Sequence, residues 1–90
     1  MKCIYLGRSQ FVSKKGTACF TVNFGVPFAP GRGDGYKASN FFIDEKSYTD
    51  FKDLECPSAI DCDIRYINGA DALISYDLKS ESTDLWDWMN

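Results

Sequence analysis

Residues 59–67 alternate in hydropathy with a period of two and run into Asn68-Gly69, and this constrains the fold more than any other feature. Ile60, Cys62, Ile64 and Tyr66 share one side of a strand from Ala59 to Ile67, with Asp61, Asp63 and Arg65 on the other. Such alternation marks a strand with one buried and one wet face. Asn-Gly favours the two left-handed residues of a tight hairpin turn. A return strand from Ala72 to Leu78 therefore follows, with Ala72, Ile74, Tyr76 and Leu78 on one face.

Three more strands precede this hairpin. Lys2 to Arg8 is strand-compatible through Cys3-Ile4-Tyr5-Leu6, and Phe11-Val12 continue it after a break at Ser9-Gln10. Ser13-Lys14-Lys15-Gly16 reads as a hairpin turn. Thr17 to Phe24 sets Ala18, Phe20, Val22 and Phe24 against Thr17, Cys19, Thr21 and Asn23. Gly25 to Gly35 holds four glycines and two prolines and is too broken for a regular element. Tyr36 to Ile43 is the third strand. Asp44 to Glu55 is the one helix, capped by Asp44 or Ser47 and ended by Cys56-Pro57, with Tyr48, Phe51 and Leu54 on one side.

The expected fold class is all-β with one short helix. Five strands with a helix between the third and fourth is the order of a five-stranded Greek-key barrel of the oligonucleotide-binding type. An SH3-like barrel or a plain meander shares the strand count. The 90 residues suit one domain, read as a β-barrel domain over 1–78 and an acidic-aromatic C-terminal tail over 79–90.

Composition narrows the chemistry. The chain has no histidine, which removes the usual nucleophile pairs and most zinc ligation. Asp61 and Asp63 share their row with Arg65 and read as a solvated face, so no enzyme activity, metal or cofactor is expected. No apolar run approaches the ~20 residues that cross a bilayer. Met1 to Tyr5 does not read as a signal peptide. Cys3, Cys19, Cys56 and Cys62 lack zinc-ribbon spacing and are expected to be free, mostly buried thiols in a reducing cytoplasm.

Charge is uneven along the chain. Residues 1–43 carry six basic groups against Asp34 alone, a net of +5, whereas residues 44–90 carry four against twelve acids, a net of −8. A basic first half suits a polyanion, unless the halves mix in three dimensions. Its cations interleave with aromatics: Arg8, Lys14 and Lys15 beside Phe11 and Phe20, then Phe28, Arg32, Tyr36 and Lys37 in and after the glycine loop. Such sets bind single-stranded nucleic acid, cations tracking phosphates and rings stacking on bases. Phe20 and Phe24 read first as core, since they share the apolar face of their strand, whereas Phe28 and Tyr36 have no obvious core to join. Arg32-Gly33-Asp34 lacks the lysine and the strand-to-helix setting of a phosphate loop. In the tail, Asp84, Trp86, Asp87 and Trp88 form an acidic-aromatic peptide suited to a protein partner, or close the barrel.

Three stretches carry a resemblance: Phe11-Val12-Ser13-Lys14-Lys15-Gly16 leading into an aromatic strand, Phe42-Ile43-Asp44-Glu45, and Ile64-Arg65-Tyr66-Ile67-Asn68-Gly69 before the last strand. In them the chain resembles the small single-stranded DNA-binding proteins of bacteriophages, of the filamentous-phage helix-destabilising type. The resemblance covers about half the chain. It implies an oligonucleotide-binding barrel, a homodimer, and binding of single-stranded DNA without sequence preference or cofactor. By position it implies that Arg8, Lys14, Lys15 and Phe20 contact backbone and bases. The tail resembles the partner-binding tip of cellular single-stranded DNA-binding proteins. The glycine-rich loop has no match in the family. The expected role is in phage or mobile-element replication or recombination, with a replication or host protein at the tail. The alternative is a small acidic phage-encoded inhibitor that occupies a host nucleic-acid enzyme by mimicking nucleic acid with residues 44–90.

Overall fold

A computed structural model describes residues 1–84. Five strands form, β1 (Lys2–Val12), β2 (Ala18–Pro27), β3 (Tyr36–Ile43), β4 (Ser58–Ile67) and β5 (Ala70–Ser82). A short helix α1 (Glu45–Asp50), extended by a 3-10 turn (Phe51–Asp53), lies between β3 and β4. All five strands belong to one antiparallel sheet in the order β3-β2-β1-β4-β5. The expected class, mostly β with one short helix, is found. The sheet is not closed into a barrel, since no ladder joins β3 to β5 among the described residues.

Turn chemistry sets the connections. Gly16 takes φ 82° in the first hairpin, and Asn68 and Gly69 take φ 53° and 85° in the last, as a tight two-residue hairpin requires. The Asp44 side chain accepts from the Ser47 N–H at 2.8 Å and caps α1. Those bonds from the Ser47 backbone and hydroxyl hold its carboxyl below the usual carboxylate range. The strands outrun the sequence expectation where a neighbour supplies the pairing. Ser9 and Gln10 pair with Thr21 and Phe20, and Val26 and Pro27 pair with Lys37 and Tyr36. β5 continues past Leu78 to Ser82. The helix is shorter than expected and passes into the 3-10 turn before Cys56-Pro57 is reached.

Three register shifts interrupt the ladders, at Tyr5/Gly7, Ala59/Asp61 and Asp63/Ile64, and the first and last decide which side chains of β1 and β5 face inward. On β1, Tyr5 pairs with Phe24 and Gly7 with Asn23, so Leu6 is the extra residue. Gly7 accommodates the distortion at φ 136°, a conformation that side chains rarely adopt. Cys3 and Tyr5 before the bulge are buried, whereas Phe11, of the same parity, faces outward after it. On β5, Ser75 pairs with Asp63 and Leu73 with Ile64, leaving Ile74 extra. This corrects the expected face of that strand: Leu73, Tyr76 and Leu78 pack on the core, and Ile74 is exposed.

The core lies between the inner face of the sheet and the α1/3-10 segment. It is built from Cys3, Tyr5, Val22, Phe24, Phe41, Ile60 and neighbours. Phe51 of the 3-10 turn is 1% exposed and sits at its centre. Its ring stacks on Tyr5 at 5.5 Å, meets Phe24 edge-on at 5.8 Å and lies 4.6 Å from Tyr76. The four cysteines are free; Cys3 and Cys62 are buried, Cys19 is half-buried and Cys56 is exposed. The hydrogen bond with Cys3, reinforced by burial, pushes the Cys62 thiol up, so it stays protonated.

The strand order sorts the charges by strand, and the two halves meet where Lys2 lies opposite Asp61 and Lys37 pairs with Asp71. β1, β2 and β3 carry Lys2, Arg8 and Lys37 and no acidic residue. β4 and β5 carry Arg65 and Lys79 against five acids. The sheet is thus basic on the β1–β3 side and acidic on the β4–β5 side.

Candidate nucleic-acid interface

The outer face of β1–β3 is the first candidate surface. Phe42 is 72% exposed and Phe11 44%, and their rings meet edge-on at 6.3 Å. Ser9, Thr21 and Phe42 form one row across the strands, with Thr21 buried beneath its neighbours, and Asn23 and Asn40 pair in the next. Ser9 Oγ and Thr21 Oγ1 are 2.6 Å apart. The turn holding Lys14 and Lys15 follows directly from Phe11 and Val12. It is closed by Ser13 N–H to Thr17 O and Gly16 N–H to Ser13 O, both at 2.9 Å, which leaves both lysines exposed. Exposed rings, short polar side chains and exposed lysines, with no carboxylate in the strands, suit a polyanion with planar bases.

A second candidate lies at the opposite end of β2. A cleft of about 710 Å³ is lined by Phe28, Arg32, Lys37, Tyr66 and Asp71 among others. Lys37 Nζ and Asp71 Oδ2 are 2.8 Å apart, so an ion pair spans the gap between β3 and β5. Both side chains face inward. Lys37 shares its row with Val26, and Asp71 faces inward because the bulge at Ile74 has shifted the parity of β5. Gly33 packs on the Phe28 ring so closely that a Cβ there would lie 3.1 Å from Cγ, which holds the ring against the cleft wall.

The eight sequence-proposed nucleic-acid residues therefore separate into three groups. Lys14 and Lys15 join the outer face. Phe28, Arg32 and Lys37 meet in the cleft, and Tyr36 starts β3, half-buried on its outer side opposite Pro27. Arg8 and Phe20 point inward. The Arg8 guanidinium lies 4.2 Å above the Tyr48 ring and donates to the Tyr48 carbonyl. The Phe20 ring is 5.0 Å from the same tyrosine. Together they seal the end of the core against α1. β2 has 10 residues, so at ~3.3 Å per residue the lysine turn and the cleft lie about 30 Å apart.

Phe42 and Tyr66 were not among the sequence-proposed residues. A signal for Phe42 existed: adjacent Phe41 and Phe42 on a strand point to opposite faces, so one of them must meet solvent. Of the proposed partner-binding set, Asp84 is the last described residue, and Trp86, Asp87 and Trp88 lie outside the described residues. Among the described residues no group of three or more His, Cys, Asp or Glu side chains is placed to hold a metal, and no helix is long and apolar enough to cross a membrane.

Comparison of the chain with known protein families, with characterised proteins and with solved structures found no match.

Proposed function

We propose that this chain is a single-stranded DNA-binding protein, largely independent of sequence, that acts in the replication or recombination of a phage or other mobile element. The carrying observation is the exposed Phe11–Phe42 pair beside the Lys14-Lys15 turn, on three strands free of acidic residues. The strand order supports the reading. β4 returns past the helix to lie beside β1, the spatial order of a Greek key. On this reading the sheet is an oligonucleotide-binding fold opened along the β3/β5 seam, a fold that binds oligonucleotides on its second and third strands. On this reading Phe11 and Phe42 stack on bases while Lys14 and Lys15 hold phosphates, with no catalytic step and no cofactor. The unpaired edges of β3 and β5 give a second copy a place to pair, which supports a homodimer. Free buried thiols support a cytoplasmic setting. The segment that follows β5, with Asp84, Trp86, Asp87 and Trp88, is the proposed contact for a replication or host protein.

The test is fluorescence anisotropy of a labelled dT oligonucleotide at two salt concentrations. Binding that weakens with salt is expected, because each neutralised phosphate releases counterions. No binding at low salt overturns the reading. The five acids on β4 and β5 favour the second reading, an inhibitor that mimics nucleic acid. In that case the protein displaces DNA from a host nucleic-acid enzyme and itself ignores the oligonucleotide.

A further inference from the structure

The cleft between the glycine-rich loop and the β4–β5 hairpin differs chemically from the outer face. Its volume, about 710 Å³, falls in the range of small-molecule sites. Phe28 and Tyr66 contribute aromatic surface, and Tyr66 is 74% exposed with no ring contact to another aromatic among the described residues. Lys37 and Asp71 present an ammonium next to a carboxylate. Arg32 lies on the same wall and has no ion pair among the described residues.

A plain phosphate site would not place Asp71 there, because its carboxylate repels an anion and already neutralises Lys37. The pair instead offers two acceptor oxygens beside a donor. The Watson–Crick edge of guanine carries the complement, two adjacent N–H donors at N1 and N2 next to the O6 acceptor. Adenine and cytosine carry a single donor group on that edge, and thymine and uracil a single N–H. A carboxylate engaging two parallel N–H groups is the strong bidentate form. An ammonium donating to O6 completes the set.

We propose that the cleft is a guanine-nucleotide site. The base lies against Phe28 and Tyr66, its Watson–Crick edge meets Asp71 and Lys37, and its phosphate meets Arg32. The inference deepens the single-strand reading and rests on it only for the source of the nucleotide, which is one position of a bound strand or a free mononucleotide. It adds one base-selective position to a protein otherwise indifferent to sequence.

The test titrates the full chain separately with GMP, AMP, CMP and UMP by isothermal calorimetry. GMP is expected to bind at least ~5-fold tighter than the others, the lower end of discrimination by a good bidentate base contact. Asp71→Asn, which offers one acceptor in place of two, is expected to abolish that preference. Tyr66→Leu is expected to weaken all four nucleotides together. Equal binding of the four, no binding of GMP, or a GMP preference that survives Asp71→Asn overturns the proposal. A second arm compares dT oligonucleotides with and without one central dG. A gain from dG places the nucleotide within a strand, and selective GMP binding without that gain identifies a free mononucleotide as the occupant. If dT binding fails but GMP selectivity holds, the single-strand reading falls and the site stands.

Discussion

Phe42 and Arg8 are both large, both lie in the basic half, and do opposite things. Phe42 is mostly exposed, so its removal costs the fold little. Phe42→Ala is expected to reduce oligonucleotide affinity by ~5- to 100-fold, the worth of one stacked base, with an unchanged urea midpoint. Arg8 binds Tyr48 through its carbonyl and its ring. Arg8→Ala is expected to destabilise the protein by about 2 kcal/mol, the range for a hydrogen bond to a charged group, and to leave the salt dependence of binding unaltered. The buried Tyr5 and the half-buried Tyr76 add a pH signature. Burial, the largest cause in each, raises Tyr5 and Tyr76 above their ordinary value of 10.0. The unfolded chain therefore loses these protons first as pH rises. Their contribution is complete below about pH 10 and fades as pH climbs through the folded values. Tyr5→Phe with Tyr76→Phe is expected to flatten the alkaline limb of the stability profile, measured by thermal melts between about pH 8 and pH 11.

At the scale of elements, a single turn of 3-10 helix carries the centre of the core. Phe51→Ala removes a ring packed on Tyr5, Phe24 and Tyr76. It is expected to cost ~3–5 kcal/mol, enough to unfold much of so small a domain at room temperature, visible as a fall in near-ultraviolet dichroism. The strands and turns themselves were legible. β3 spans Tyr36–Ile43 as read, because its neighbours are a glycine-rich loop and a helix cap. Asn68-Gly69 turns where its chemistry demands. The bulges at Leu6 and Ile74 were not legible. Each arises from register with a partner strand, and one extra residue moves every later side chain to the other face. That is why Arg8 turned inward, Phe11 outward and Asp71 toward Lys37, and why the candidate sites were only half visible.

For the whole molecule, the order β3-β2-β1-β4-β5 turns a charge gradient along the chain into one across the sheet. Lys14→Glu with Lys15→Glu is expected to weaken single-strand binding and to flatten the plot of log affinity against log salt by ~0.7 for each phosphate that is no longer neutralised. Affinity for GMP is expected to remain, because the turn lies at the far end of β2 from the cleft. The sequence by itself determined the β class, the hairpins at 13–16 and 68–69 and the helix start at Asp44. Alternation, turn residues and caps act within a few positions and need no distant partner. The tertiary structure alone decided where the charge halves meet, at Lys2 opposite Asp61 and at Lys37 with Asp71, and that no ladder joins β3 to β5 among the described residues. It also decided which aromatics face solvent. These depend on strand order and register, which are set by packing between residues far apart in the chain.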